Sequence, residues 1–325
     1  MKKVAILVPD HAAIHVIAIS RFMFETVNQF LISSGKDKLF DVKLVGQRKQ
    51  MKLIDGPFMV DPDLLMKDVS ETDLIIIPPL SGSIDEGISA NQNTINWIIS
   101  QHQKGSEVAS LCVGAFLLAA TGLVDGKKCS THWGFTDEFR NMFPSVILQD
   151  GKIVTDEDGI YSSGGANSCW NLLLYLIEKY TDRETAILTS KFFAIDIDRT
   201  SQSSFAMFKG QKGHNDDAIR TVQEYIEQNI EEKLTVEELA EKVSMGRRSF
   251  ERRFKLATNN SVLEYIQRVK IEAAKRSIES SRKNINEVMF DVGYTDTKAF
   301  RTTFKKITGL SPVEYKNKYN KIGVD

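Results

Sequence analysis

Residues 1–202 alternate between two hydrophobic patterns. Short, continuous apolar runs bounded by breakers are typical of strands buried on both faces of a parallel sheet. The two strong runs are Lys3–Pro9 and Leu74–Pro78, and two weaker ones are Phe40–Val45 and Glu107–Leu111. Helical periodicity falls between and after these runs, at Ile19–Ser33, Thr94–Lys104, Ala115–Gly122 and Ser168–Tyr180. The alternation predicts an α/β three-layer sandwich.

The alternation ends at residues 203–217, SSFAMFKGQKGHNDD, where polar and glycine-containing sequence predicts a linker. No strand pattern returns after it. Residues 218–321 instead show short helical patterns punctuated by caps and turns. The chain is therefore expected to join an α/β domain, residues 1–202, to an all-α domain, residues 218–321.

The all-α part contains an internal repeat. Seven residues recur 50 positions later, and they are Phe250, Phe254, Lys255, Thr258, Ser261, Glu264 and Tyr265 against Phe300, Phe304, Lys305, Thr308, Ser311, Glu314 and Tyr315. Upstream, the i, i+3, i+4, i+7 stripe that starts at Val236 recurs from Ile285, an offset of 49. Two copies of one supersecondary unit are predicted, the second with one extra residue in its turn.

Each copy is interpreted as helix, turn, helix, over about residues 235–258 and 286–308, with a long connecting helix over about 262–280 between them. Thr235 and Asn286 are the expected N-caps, and Gly293 permits the positive φ of the second turn. In this architecture the second helix of each unit lies in the DNA major groove. A pair of helical hairpins used for protein contact is the alternative.

The second helices carry side chains suited to DNA. Arginine pairs with guanine edges, while lysines and hydroxyls suit phosphates. The predicted DNA-binding residues are Ser244, Arg247, Arg248, Glu251 and Arg252 in the first unit, and Thr295, Thr297, Lys298, Arg301, Thr302 and Lys305 in the second.

Charge distribution favours nucleic acid more than the total does. The net charge is −1, but residues 1–213 carry 21 basic against 25 acidic residues, and residues 233–321 carry 20 against 11. A basic segment joined to an acidic one is typical of a regulator with a separate DNA-binding end, although a solvated lysine-rich surface has the same composition. Three irregularly spaced cysteines suit a reducing cytoplasm, and no apolar run is long enough for a membrane helix.

The repeat resembles the AraC/XylS-type DNA-binding domain. GYTDTKAFRTTFKKITGLSPVEYK is similar to the second unit of that family, and LAEKVSMGRRSFERRFKLATNNSVLEYIQRVKIEAAKRSI to its first unit and connecting helix. The resemblance implies two recognition helices held rigidly about one DNA turn apart. Met289 stands where the family usually has alanine, which should alter packing rather than function.

In the α/β part, SLCVGAF places Cys112 between a predicted strand and a predicted helix. A thiol on such an elbow points out of the sheet near a helix N-terminus, which favours thiolate, and His132 is its candidate partner. A buried small hydrophobe and a hydrogen-bonded core histidine are the plainer interpretation of the same two residues.

SLCVGAFLLAATGLVDGKKCSTHW and GIYSSGGANSCWNLLLYLIEKY resemble segments of the class I glutamine amidotransferase-like fold of PfpI type, which is flavodoxin-like, and especially regulators of the GlxA kind. Enzymes of this fold use the elbow cysteine with a histidine and an acidic residue. Here Val16 or Ile17 aligns with the acid, and Pro79 and Leu80 replace a glycine pair, so that Pro79 cannot donate to an oxyanion. Asn171 stands where many members have aspartate.

These departures predict a non-catalytic domain with no metal or cofactor. Its candidate ligand pocket consists of Leu80, Cys112, Val113, His132 and Asn171. The expected protein is a cytoplasmic transcriptional regulator that binds double-stranded promoter DNA, forms a homodimer through residues 1–202 and responds to a small-molecule effector. A cysteine hydrolase or amidase fused to a DNA-binding domain, and a constitutive DNA-binding protein whose first domain only assembles dimers, are the alternatives.

Overall fold

The chain divides into two compact units, the first from Met1 to Gln202 and the second starting at Ser203. The computed structural model describes residues 1–53, 58–165 and 167–320. Residue 321, the last residue of the predicted all-α domain, lies outside the described residues. Among the helices described, none is long and apolar enough to cross a membrane.

A mostly parallel sheet organises the first unit. Its strands and the short ribbons beside it are β1 (Lys2–Val8), β2 (Phe40–Gly46), β3 (Met51–Lys52), β4 (Met59–Val60), β5 (Leu64–Leu65), β6 (Leu74–Ile77), β7 (Glu107–Ser110), β8 (Lys128–Cys129), β9 (Ile147–Leu148), β10 (Val154–Glu157) and β11 (Ile160–Ser163). The main sheet has the order β10-β11-β7-β6-β1-β2-β5, and only β10 runs antiparallel to its neighbour. The apolar run of β1 is buried from Val4 to Val8, as expected for a central parallel strand.

Helices cover this sheet, and they are α1 (Ile14–Ser33), α2 (Ile84–Ala90), α3 (Gln92–Gln103), α4 (Ala115–Ala119), α5 (Thr136–Met142), α6 (Ser168–Tyr180) and α7 (Arg183–Phe192). The chain leaves β1 for β2 on one side and returns to β6 on the other. A topological switch point therefore lies beside β1 and β6, where parallel sheets form their ligand crevices. The predicted flavodoxin-like sandwich is confirmed, and Thr94–Lys104 proves to be the end of a longer helical stretch.

The second unit is helical in its described part, with α8 (Asp217–Gln228), α9 (Val236–Lys242), α10 (Arg247–Thr258), α11 (Val262–Ser280), α12 (Ile285–Asp291), α13 (Thr297–Thr308) and α14 (Pro312–Tyr319). Helix α11 serves two hydrophobic cores. Its first half contributes Tyr265 and Ile266 to the core of α8–α10, and its second half contributes Ile271 and Ile278 to the core of α12–α14. One continuous helix thus fixes the two halves to each other.

Residues 203–216 of the predicted linker, 203–217, pack along the helical unit, and Asp217 is the first residue of α8. Lys275 Nζ donates to the Ala206 carbonyl at 2.5 Å, and Glu272 Oε2 accepts the Phe208 N–H at 3.1 Å. The Phe208 ring lies 5.2 Å from the Tyr265 ring, in an edge-on contact. Because Glu272 and Lys275 also pair with each other at 2.7 Å while almost fully buried, this segment is tied to α11 by charged side chains.

Candidate functional site

The first helix-turn-helix unit is built from α9, a tight turn and α10. Thr235 caps α9 in a capping box with Glu238, in which each side chain bonds the other residue's backbone N–H. Ser244 then adopts φ +52°, which turns the chain, and α10 begins at Arg247. The left-handed conformation of Ser244 redirects the chain between α9 and α10.

The second helix-turn-helix unit repeats this plan with one more residue in its turn. Asn284, not the expected Asn286, caps α12, because its side chain accepts the N–H groups of residues 286 and 287. Gly293 has φ +69°, and a Cβ there would lie 2.2 Å from the Glu231 carbonyl oxygen, so the turn requires glycine. Asp296 caps α13 through the Ala299 N–H.

Buried aromatic residues orient both second helices. Phe250 and Phe254 of α10 are fully buried, and so are Phe300 and Phe304 of α13. The opposite faces are therefore open to solvent. All the predicted DNA-binding residues are exposed there or in the preceding turns: Ser244, Arg247, Arg248, Glu251, Arg252, Thr295, Thr297, Lys298, Arg301, Thr302 and Lys305.

The charges on these faces are compensated to different degrees. Arg247 contacts the carboxylates of both Glu237 and Glu251, the latter at 3.5 Å. Arg253, on the side of α10, is held bidentately by Asp216 at 2.8 and 2.9 Å, and these bonds lower the pKa of Asp216. Within the described ranges, Arg252 and Arg301 form no ion pair. Their guanidinium groups are thus available to an incoming polyanion.

In the α/β unit, Met1–Gln202, Cys112 occupies the elbow predicted between β7 and α4. It has φ +57°, a conformation that L-residues rarely adopt, and its N–H bonds Ser163 Oγ at 3.1 Å. A Cβ on Gly114 would lie 2.7 and 2.8 Å from the carbonyl oxygens of Pro78 and Ile77, so glycine lets the elbow fit against the end of β6. The strained backbone and its support are typical of a nucleophile elbow.

The elbow thiol has another thiol as its neighbour. A hydrogen bond from Cys169 lowers the pKa of Cys112, and the Val113 N–H acts in the same direction against burial. The same contact raises the pKa of Cys169, which is fully buried. Both are free cysteines. Within the described residues, the groups that lower the pKa of Cys112 are thus a second thiol and a backbone N–H.

His132 points to a different set of groups. Its Nδ1 accepts the Gly134 N–H at 3.0 Å, and its ring packs on Trp133 and Phe135. Burial lowers the pKa of His132, which keeps the ring neutral. Because Nδ1 accepts, the neutral ring carries its proton on Nε2.

Of the other predicted pocket residues, Leu80 and Val113 are buried in the same hydrophobic core as Cys112. Leu80 pairs with Ala12 in an isolated bridge, and Val113 is buried in the elbow. Asn171 donates to the Asp196 carbonyl at 2.7 Å and lines a separate cavity of about 280 Å³ with Lys152, Arg183 and Arg199. None of the other four predicted residues lines that cavity.

Two residues near the switch point and the elbow were missed by sequence reasoning. His11, after β1, has φ +67°, and its buried Nδ1 has no hydrogen-bond partner among the described residues. Gln202, the last residue of the first unit, is 1% exposed and bonds the backbone around His132. Neither stands in a motif, so only the fold could identify them. In the described part, no group of three His, Cys, Asp or Glu residues could hold a metal.

Known proteins resemble both units. The DJ-1/PfpI family matches residues 24–179, and a helix-turn-helix domain matches residues 239–318. The HTH-type transcriptional regulator GbdR of Pseudomonas aeruginosa is 25% identical over 265 residues, which are 81% of this chain and 71% of that relative. The HTH-type transcriptional regulator GlxA of Rhizobium meliloti is 24% identical over 211 residues, 64% of each chain.

Solved structures show the same fold for the first unit. Drosophila melanogaster DJ-1beta has a TM-score of 0.50 and 16% identity, covering 60% of this chain and 98% of its own. The resemblances predicted from the elbow segment and from the repeat are thus confirmed. This chain thus carries a DJ-1/PfpI-type domain and an AraC-type helix-turn-helix domain, and it is similar to HTH-type transcriptional regulators.

Proposed function

We propose that this regulator reads promoter DNA with α10 and α13, and that its first unit is a non-catalytic sensor for a small molecule. One observation carries the DNA-binding part. Two copies of one helix-turn-helix present their predicted DNA-binding residues on exposed faces, opposite pairs of buried phenylalanines.

The connecting helix makes the two copies act together. Because α11 contributes to both cores, the recognition helices cannot reorient independently. Two rigidly linked reading helices suit successive major-groove segments on one face of B-DNA. The uncompensated Arg252 and Arg301 are the best candidates for guanine contacts, and the hydroxyls of Thr297 and Thr302 suit phosphates.

Three observations support a sensor over a hydrolase. In the described residues the groups that hydrogen-bond the Cys112 thiol are Cys169 and the Val113 N–H, and neither is a carboxylate. The Gly134 N–H occupies Nδ1 of His132, so that in this arrangement Nε2 of the neutral ring is a donor rather than a base. Pro79 has no N–H to offer an oxyanion. Cytoplasmic location and a homodimer formed through the first unit belong to the same proposal.

A ligand changes DNA binding only if it binds one state of the regulator better than another. The segment 203–216 supplies a physical route, since it continues from Gln202 and is bonded to α11 through Lys275 and Glu272. A shift of Gln202 would therefore pull on the helix that sets the spacing of the two reading helices.

DNA selected from a random pool tests the reading helices. We expect one preferred site, in which Arg252→Ala and Arg301→Ala each relax the preference at particular base pairs by about 1–3 kcal/mol. Arg276→Ala, an exposed arginine of α11, is the control and should leave the preferred site unchanged. Selection of the same site with the same base preferences by both reading-helix variants would contradict the groove assignment.

Cys112→Ser tests the sensor. The substitution keeps a small polar side chain on the elbow, and we expect effector-dependent transcription from the selected site to persist. Loss of the effector response, with folding, DNA binding and effector binding intact, would contradict a purely non-catalytic domain and favour the hydrolase alternative.

A further inference from the structure

The side chain of Gln202 is bound like a ligand by the first unit. Its Oε1 accepts the N–H of Gly165 at 2.7 Å and that of Trp133 at 3.3 Å. Its Nε2 donates to the carbonyls of Thr131 at 2.9 Å and Lys152 at 3.2 Å. Two donors for the oxygen and two acceptors for the NH₂ group are a matched set for one primary carboxamide.

All four partner groups are backbone groups, and two glycines make room for the amide. A Cβ on Gly164 would lie 2.5 Å from Gln202 Nε2, and one on Gly165 would lie 3.1 Å from Oε1. The second Cβ would also lie 3.3 Å from the His132 ring. These four backbone groups form a cradle for the carboxamide, and the cradle lies beside His132. A side chain at either glycine position would crowd the carboxamide.

Gln202 belongs to no helix or strand of the first unit. Ser201 pairs with Lys152 in an isolated bridge, and the Gln202 N–H bonds the Gly151 carbonyl at 2.8 Å, so the backbone is held independently of the side chain. Neither of these backbone contacts involves the carboxamide. Its departure would open the cradle towards the half-buried His132 and Trp133.

From this geometry we infer that the first unit has a primary-carboxamide-binding site, which Gln202 fills from within the chain and for which an effector with a primary carboxamide competes. The inference rests on the proposed sensor role and names the chemical class of its ligand. An internal competitor acts at a high effective concentration, so a free amide binds the wild-type chain more weakly than a chain without the Gln202 side chain. Gln202 directly precedes Ser203, the first residue of the segment bonded to α11.

Chemical rescue of Gln202→Gly tests this site, because the missing side chain has the skeleton of propionamide. The full-length variant should lose roughly 5–10 °C of Tm, since four hydrogen bonds are lost and, among the described residues, only the Lys152 carbonyl keeps another partner, the Ser130 hydroxyl. Propionamide should raise its Tm in a concentration-dependent way and bind it at least about tenfold tighter than it binds the wild type. Propionate should not, because it cannot donate to the Thr131 and Lys152 carbonyls.

Gln101→Gly is the matched control. Gln101 is also 1% exposed, but its Nε2 contacts carbonyls at 3.3 and 3.5 Å, and its Oε1 has no partner among the described residues. Propionamide should not stabilise this variant more than propionate does. If Gln202→Gly does not yield folded protein, Gln202→Ala with acetamide provides the same measurement in a smaller cavity.

Equal effects of propionamide and propionate on the Gln202 variant, or equal effects of propionamide on the Gln202 and Gln101 variants, would overturn the inference. Selective rescue of the Gln202 variant supports it. The measurement involves no DNA, so a negative result leaves the promoter-reading proposal intact, and failure of the DNA selection leaves the carboxamide site intact.

Discussion

Helices α10 and α13 occupy the same place in the two helix-turn-helix units. Each has 12 residues, ends at a left-handed residue, and buries two phenylalanines and a threonine. Thr258 and Thr308 bond the carbonyl four residues back in both copies, at 2.8 and 2.9 Å. The buried positions of α10 are therefore repeated in α13 side chain for side chain.

Their exposed faces differ. Glu251 of α10 has Arg301 as its counterpart on α13, and Arg247, held by two carboxylates, has Thr297. The first face mixes charges that compensate one another, whereas α13 contains no acidic residue. Packing fixes the inward positions of the repeat and leaves the outward ones free to diverge. We therefore expect the two helices to read unlike base sequences, in a site without two-fold symmetry.

The largest expected effect concerns whether α8–α10 and α12–α14, which share α11, have two separate hydrophobic cores. Phe254→Ala and Phe304→Ala should each destabilise the unit that contains the substitution by about 3–5 kcal/mol, because each leaves a cavity in a packed core. Hydrogen exchange should show lost protection in α8–α10 for the first variant and in α12–α14 for the second. Equal loss across both cores for either variant would show that α11 makes them one cooperative body.

The second effect tests the difference between the outer faces. Glu251→Arg makes α10 resemble α13 at one position. The base preference there should change by about 1–3 kcal/mol, from a base that donates to a carboxylate towards a base that accepts from a guanidinium. DNA selection on the variant measures the change. Glu241→Arg on α9 is the control, with the same change of charge away from the reading helix. An equal shift of preference in both variants would make the effect one of charge alone.

The repeat could be predicted from the sequence because it depends on local periodicity. The offsets of 50 and 49 reappear in the helices, with α9 and α12 starting 49 residues apart and α10 and α13 starting 50 apart. The N-cap of α12 was misplaced by two residues because Asn284 and Asn286 are both good caps, and only backbone geometry distinguishes them.

Contacts distant in sequence could not be predicted. Residues 203–216 are polar, yet their backbone is bonded by Lys275 and Glu272, more than 60 residues away along the chain. Gln202 bonds Thr131 across 71 positions, and nothing in its local sequence indicates burial. Asn171 lies in the predicted helix, and its amide donates to the Asp196 carbonyl 25 positions away, a contact that no local pattern indicates.

The smallest expected effect concerns Arg247, the basic residue at the start of α10 that the second unit replaces with threonine. Glu237→Gln removes one of its two carboxylate partners, and the freed guanidinium can then contact a phosphate. Because exposed ion pairs contribute little, affinity for DNA should rise by less than about 1 kcal/mol. The slope of log K against log salt should steepen by up to about 0.9, as one more counterion is released.

Glu241→Gln is the matched control for this last measurement. Glu241 is an exposed acid of the same helix, and within the described residues it forms no ion pair. It removes the same charge without releasing an arginine, so affinity should rise only through the weaker general repulsion and the slope should stay nearly constant. If both variants changed the slope equally, the freed Arg247 would not bind a phosphate. The carboxylates that pair with Arg247 would then stabilise the first helix-turn-helix unit rather than weaken DNA binding.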